Sequence, residues 1–334
     1  MKKIVFVICS LLLLSSCDKG KKKEYKVESV GAANGVTVVI DNDLWKGDIG
    51  DRIRNYFAAP VDGLPWQEPL FTIHQMPPQV FTDFAQKSRN VFVVSNKVAN
   101  NGIKTNVYSQ PQIVGFVNSE NHDKTIKAID SLAPLLVKKF KEGDILVSQS
   151  RFKESENHET ALKDKMGITM SMPSIYKTRV QEDDFIWIER QIPKGTMNII
   201  VYEMPYNFLK NDSTKVDQII KMRDSIGQLH VPGREEGMYM ITEKSYAPYI
   251  YDTKIAGREA TEVKGMWEVK NFFMAGPFVN FIIPDKKNNR DLVVEGFTFA
   301  PSTNKRDYMF QLESILRSIK FEGEDNPKNQ ADYQ

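Results

Sequence analysis

The chain has 334 residues, two cysteines, and 45 Lys+Arg against 43 Asp+Glu, for a formal net charge of +2. That length suits two domains whose cores need no covalent staples. A near-neutral body excludes nucleic acid as the main partner, because phosphate neutralisation supplies much of that affinity.

Lys2 and Lys3 give a positive start, and residues 4–14 form an apolar run broken only by Cys9 and Ser10. The run is too short to cross a bilayer as a mature helix and reads as an export signal. Leu14-Ser15-Ser16-Cys17 resembles the bacterial lipobox, which implies a diacylglycerol on the Cys17 thiol, cleavage before it and acylation of the new amine. The alternative is a conventional secretory signal with an incidental cysteine. With residues 1–16 removed as a lipoprotein signal peptide, Lys+Arg falls into balance with Asp+Glu. Cys9 leaves and Cys17 is consumed, so disulfides, cysteine nucleophiles and thiolate metal sites are all excluded. Residues 17–34 read as a lipidated flexible tether, with Lys19, Lys21, Lys22, Lys23 and Lys26 able to lie on anionic headgroups. Order is expected to begin near Val36.

The β-branched run Val36-Thr37-Val38-Val39-Ile40 predicts a mostly buried strand. Asp41-Asn42-Asp43 ends it and offers caps for a helix over 44–57. Five prolines, Pro60, Pro65, Pro69, Pro77 and Pro78, make 58–79 an extended connection. Further strands are expected at 91–94, 105–108 and 112–117. A helix over 123–140 carries Ile126, Ile129, Ala133, Leu136, Val137 and Phe140 on one face, with lysines opposite and a kink or break at Pro134. The polar stretch 148–166 is a linker or connecting helix ending at a Gly167 cap. It separates an N-terminal domain, 35–147, from a C-terminal domain, 167–322, and residues 323–334 read as a disordered tail.

In the second half, strands are expected at 168–172, 184–189, 197–202, 238–242, 260–269, 272–283 and 292–300, with Gly276-Pro277 demanding a bend or bulge. Helices are expected over 214–229 and 305–319, the latter presenting Tyr308, Leu312, Ile315, Leu316 and Ile319. Hairpin-spaced strands with a few helices define an α+β protein of two domains with largely antiparallel sheets. Both halves open on a strand and close on an amphipathic helix followed by Phe140-Lys141-Glu142-Gly143-Asp144 or Phe321-Glu322-Gly323-Glu324-Asp325, an echo that admits a tandem duplication.

Little chemistry is legible. His74, His122, His158 and His230 stand apart without metal-ligand spacing, so no metal or other cofactor is expected and no catalytic residue is assigned. Glu182-Asp183-Asp184 and Glu235-Glu236 read as solvated turns, since acid–base work needs carboxyls converging from separate elements. The candidate partner-binding residues are Arg258, Glu262, Lys264 and Trp267. On a regular strand Arg258, Glu262 and Lys264 share one face and Trp267 takes the other. The plain alternative for the charged face is a solvent-exposed ladder of cross-strand ion pairs.

With those residues placed, the mature chain resembles a family of uncharacterised Bacteroidota envelope lipoproteins, defined as a domain of unknown function. The resemblance rests on Gly35 to Asp41 followed by Trp45, on Leu64-Pro65, Glu68-Pro69 and Phe71, and on Phe185-Ile186-Trp187. It continues through Tyr239-Met240, Lys264-Gly265-Met266-Trp267-Glu268, Met274-Ala275-Gly276-Pro277-Phe278 and Lys305-Arg306 with Tyr308-Met309. Lys264 and Ala275 depart from the family pattern. In that context Asp212-Ser213-Thr214 resembles the short O-glycosylation acceptor motif of Bacteroidota, with Ser213 as the candidate. The resemblance implies an envelope lipoprotein of a didermal bacterium, and the lysines after Cys17, unlike acidic surface-export tags, favour a lipid-anchored protein facing the periplasm, in the outer membrane rather than the inner. The reading is a non-catalytic binder of an envelope protein or glycan partner; the alternative is an envelope hydrolase using Glu, Asp and Arg residues of the C-terminal domain.

Overall fold

The computed structural model describes residues 26–95 and 101–324. The signal segment, Cys17, most of the basic stretch after it and residues 325–334 lie outside the described residues. The N-terminal unit comprises β1 (Gly35–Ile40), α1 (Asn42–Lys46), α2 (Asp48–Phe57), β2 (Thr72–Met76), β3 (Asn90–Val94), β4 (Gly102–Thr105), β5 (Ile113–Val117) and α3 (His122–Phe152). Its sheet order is β2-β1-β3-β5-β4.

The expectation of antiparallel pairing is corrected here. β1 pairs parallel with β2 and β3, β3 pairs parallel with β5, and β4 alone is antiparallel. The physical reason lies in the strands themselves. β3 and β5 are buried at every position, the mark of strands covered on both faces by crossover connections. One face packs Ile53 and Phe57 of α2 and Ile129, Leu136 and Phe140 of α3 against Val36, Val38 and Phe92. The other packs Val39, Val91, Val93 and Phe116 against Phe81.

Three local expectations also shift. The helix over 44–57 is split at Gly47, whose extended backbone ends α1 and starts α2. Pro134 does not break α3, which runs 31 residues through it; the proline is exposed, so solvent can take the carbonyl it frees. Order begins before Val36, because Glu28 and Val30 bridge to Gln110 and Ser88, and Ser29 is buried. Asp144 secures this entry by accepting from the Asn34 N–H at 2.8 Å, Arg89 Nε at 2.7 Å and Asn90 Nδ2 at 3.1 Å.

The stretch 148–166 holds the last turn of α3, a 3-10 turn at Lys153–Ser155, and α4 (Ala161–Met166), which Gly167 closes in the left-handed conformation at φ 61°. Beyond it come β6 (Ile168–Thr169), β7 (Lys177–Gln181), β8 (Phe185–Ile192), β9 (Gly195–Pro205), α5 (Lys215–His230), β10 (Met240–Thr242) and β11 (Tyr249–Ile255). They are followed by β12 (Arg258–Val269), β13 (Phe272–Asp285), β14 (Arg290–Phe299), α6 (Arg306–Leu316) and β15 (Lys320–Phe321).

This half is the antiparallel sheet that was expected, ordered β10-β12-β13-β14-β9-β8-β7 with β11 also on β12. α6 covers one face through Leu312, Ile315 and Leu316, and α5 covers the other through Ile219 and Met222. The irregularity in β13 falls between Glu268 and Val269 of its neighbour β12, not at Gly276-Pro277. Pro277 stands opposite Met266 of β12 and one residue beyond the end of the β14 pairing. The chain as a whole is α+β. A mainly parallel sheet in one half and an antiparallel one in the other rules out tandem duplication.

Candidate functional site

The site is built around the N-terminus of α6. A helix leaves its first N–H groups without partners, and here the N-terminal unit supplies the acceptor. Glu68, buried at 4% exposure, accepts from the Lys305 N–H at 2.7 Å and the Arg306 N–H at 2.9 Å. Arg306 reaches back to the Pro69 carbonyl at 3.0 Å and Thr72 Oγ1 at 3.1 Å, and Asn34 donates to Asp307 at 3.1 Å. Lys305 Nζ sits 3.7 Å from the centre of the Trp66 ring.

The proline-rich segment between α2 and β2 then folds over β12. Gly63, at φ 80°, approaches so closely that a Cβ there would stand 3.0 Å from the Gly265 nitrogen and 3.1 Å from Lys264 Cβ. Beside it Tyr251 donates to Asp62 at 2.6 Å. Burial first, and the Asp62 carboxylate after it, push the Tyr251 hydroxyl up to about 12.

Between these elements lies a cavity of about 320 Å³. Its walls include Leu64, Phe71, Val137, Phe278, Met309 and Phe310, and its polar lining includes Lys141, Glu262, Lys264 and Glu313. Glu262 and Lys264 come from β12, Glu313 from α6 and Lys141 from α3, so one crevice gathers side chains of both units. Glu313 holds Lys141 at 2.8 Å, Arg317 at 2.8 Å and Lys264 at 3.7 Å. Glu262 holds Lys264 at 2.9 Å and Arg317 at 3.0 Å. Burial raises Glu313, but Lys141, Lys264 and Arg317 outweigh it and keep its carboxyl well below the usual range. For Lys264 the two carboxylates overcome the cost of burial and raise its ammonium above the ordinary lysine value.

Lys141 moves the other way. Burial, joined by the like charges of Lys264 and Arg317, pushes it below the ordinary value although Glu313 opposes this. The two partners of the Lys141–Glu313 pair are therefore unequally served. Glu313 has three cations and stays ionised, while Lys141 touches one carboxylate and is lowered chiefly by burial. Its side chain is 32% exposed. Lys141 and Arg317 also line a second, more open cavity of about 530 Å³ beside Lys138 and Lys254.

Of the residues predicted from sequence, the structure brings together Glu262 and Lys264. Arg258 shares their face but pairs with Asp285 at 3.1 Å and Glu324 at 2.7 Å and does not line the crevice. Trp267 is 2% exposed within the α5-side core, against Phe297. Ser213 is exposed in a turn just before α5, where Asp212 accepts from the Thr214 N–H at 2.8 Å. Lys141, Glu313, Arg317, Glu68 and Tyr251 were missed. The one local signal was the i,i+4 spacing of Glu313 and Arg317. Among the described residues, no group of three or more His, Cys, Asp or Glu side chains could hold a metal ion, and no helix is long and apolar enough to cross a membrane.

Residues 155–318 match a family described as "Domain of unknown function (DUF4837)", and residues 29–153 match a second, "Domain of unknown function (DUF8532)". The two matches meet at the end of α3. The comparison with curated proteins finds no match. Among solved structures, the Saccharomyces cerevisiae Ran-binding protein Mog1p is 12% identical over 46% of this chain and 90% of its own, with a TM-score of 0.30. A point mutant of protein Mog1 gives the same figures. A likeness that slight carries no argument about function.

Proposed function

We propose that the chain is a non-catalytic binding protein of the bacterial cell envelope, held to the membrane by lipid on Cys17 and facing the periplasm. Its recognition site is the crevice between the two units. The observation that carries the binding reading is the state of the crevice carboxylates. General acid catalysis of glycoside cleavage needs a carboxyl that keeps its proton near neutral pH. Glu313 is instead held ionised by three cations, and Glu262 lies within 3.0 Å of two. Apolar walls around a few convergent polar groups are the ordinary make-up of a ligand pocket, and about 320 Å³ sits at the lower end of the roughly 300–1,000 Å³ such pockets span. A protein or glycan partner would place one protruding group there; a free small molecule would fill it. Lipid anchoring would raise the local concentration of the site near membrane partners.

Crosslinked co-purification from native membranes tests this, comparing wild type, Cys17→Ala and the crevice-filling Val137→Trp. Recovery of a partner from the wild type, lost in both variants, is the expected outcome. Equal recovery from Val137→Trp would remove the crevice from the reading, and equal recovery from Cys17→Ala would remove the anchor.

A further inference from the structure

Seven carboxylates are buried among the described residues, and six of them have strong partners. Asp144 pairs with Arg89, Glu295 with Arg223, Asp285 with Arg290, and Glu262 and Glu313 with Arg317. Glu68 takes two backbone N–H groups at the start of α6. Asp291, in β14, is the seventh. It is 2% exposed, and its Oδ1 has no hydrogen-bond partner. Burial raises its carboxyl above the ordinary aspartate value, opposed only by the backbone N–H groups of Asn207 and Phe208 and by no cation.

Asp291 lines a cavity of about 300 Å³ that it shares with Ile282 of the α5-side core. The ends of β12, β13 and β14 form the floor, and the segment leading into α5 forms the wall through Asn207, Leu209 and Asn211. The other two carboxylates there, Asp252 and Glu259, are exposed at 93% and 77%, and each has a lysine, Lys215 at 3.7 Å and Lys254 at 2.7 Å. Asp291 is the acid that is left over. The cavity has no lining residue in common with the crevice, so what it binds does not depend on the crevice being a recognition site.

We infer that this cavity takes a primary ammonium on a short alkyl chain, its N–H donors on Asp291 and its chain against Leu209, Ile282 and Pro284. A buried carboxylate without a counter-charge is costly, and a cation that also donates answers both its charge and its open oxygen. An alcohol brings the donor without the charge, and a quaternary ammonium brings the charge without the donor. An anion would meet three carboxylates against one lysine in the lining. A metal ion needs several oxygens converging within about 2.6 Å, and no group of three or more His, Cys, Asp or Glu side chains among the described residues could hold one. An ammonium has three N–H donors, and the side-chain carbonyls of Asn207 and Asn211 stand in the same lining for the other two.

The test is calorimetric titration of the full chain in phosphatidylcholine nanodiscs, with empty nanodiscs as the blank and n-butylammonium, butyltrimethylammonium and 1-butanol as probes. Butylammonium is expected to bind about tenfold or more tighter than either other probe, as befits a charge-assisted contact. Asp291→Asn should erase that preference. Asn211→Trp, a substitution at an exposed position of the wall, should weaken butylammonium severalfold with Asp291 intact, and thermal melts establish that both variants are folded. Nα-acetyl-lysine N-methylamide and putrescine then separate the sources: the first binding tighter assigns the site to a lysine of a partner protein, the second to a free diamine. Butanol or butyltrimethylammonium binding as tightly as butylammonium would overturn the assignment. So would a preference that survives Asp291→Asn, or silence from every probe.

Discussion

Replacing Glu68 should weaken the union of the two units more than any surface substitution. Glu68→Ala removes an acceptor from two backbone N–H groups, one on Lys305, itself only 3% exposed. Hydrogen bonds to a charged group contribute about 1.5–3 kcal/mol each, and a donor left buried and unpaired costs about 1–3 kcal/mol. Loss of a carboxylate from a helix N-terminus adds about 0.3–1 kcal/mol. Against this, releasing a buried carboxylate from its desolvated site returns part of the total. A net loss of about 2–4 kcal/mol follows for Ala, and roughly half for Glu68→Gln, which keeps one oxygen in place. Urea unfolding of the full chain measures it, followed by fluorescence and by far-ultraviolet circular dichroism. Trp66 lies against Lys305 and reports on the α6 N-terminus directly. The fluorescence transition should move to lower urea first, as the interface opens before the sheets melt. A Glu68→Ala chain within about 0.5 kcal/mol of wild type would show that water replaces the carboxylate without loss and would refute the argument.

Gly227 lies inside α5, where alanine is ordinarily better by about 1 kcal/mol. A Cβ there would stand 1.9 Å from the Met240 carbonyl oxygen, so Gly227→Ala should instead destabilise by roughly 1–3 kcal/mol, and a raised urea midpoint would contradict the packing. Arg223 and Glu295, each 1% exposed, form a two-point pair at 2.6 and 2.8 Å beneath α5. Arg223→Met should cost about 3–5 kcal/mol by stranding Glu295, and Arg223→Met with Glu295→Leu should recover most of it. A single variant unfolding within about 1 kcal/mol of wild type would sink this. Asp48, then Asp123, raise His122 above its ordinary 6.5. Its contribution to stability is therefore fully present below the unfolded value and lost as pH rises through the folded one. Proton NMR titration should place His122 above 6.5 and Asp48→Asn should lower it; an unmoved curve would discard the pair.

The elements whose identity depends on their own side chains were legible. The apolar runs gave β1, β3 and β8, and the spacing of Leu312, Ile315 and Leu316 gave α6 nearly to its ends. Pairing direction was not legible, because a strand buried on both faces has the same composition whether its neighbour runs with it or against it. The Glu68 cap could not be read either, since its donors stand 237 residues further along the chain. Lys141 fell one residue past the helix read over 123–140, whereas α3 runs on to Phe152, and periodicity describes a helix only relative to itself. That this last part of α3 meets α6 is a property of the packed pair.

The charged face of β12 shows how far such a reading can go. Alternating charges on a strand fit an exposed ladder and a buried interface equally well until the register is known. An exposed ladder would set opposite charges across from Glu262 and Lys264. The register sets Tyr251 and Phe281 across from Glu262, and Tyr249 and Val279 across from Lys264. With no cross-strand counter-charge, these two have each other at 2.9 Å and draw their remaining partners from another layer. Arg317 and Glu313, at the C-terminal end of α6 and just beyond it, are those partners, at 3.0 and 3.7 Å. The crevice is thus a consequence of placing an ionic strand face against apolar neighbours. The helix that supplies its counter-charges must be held in place, and Glu68 of the other unit holds it.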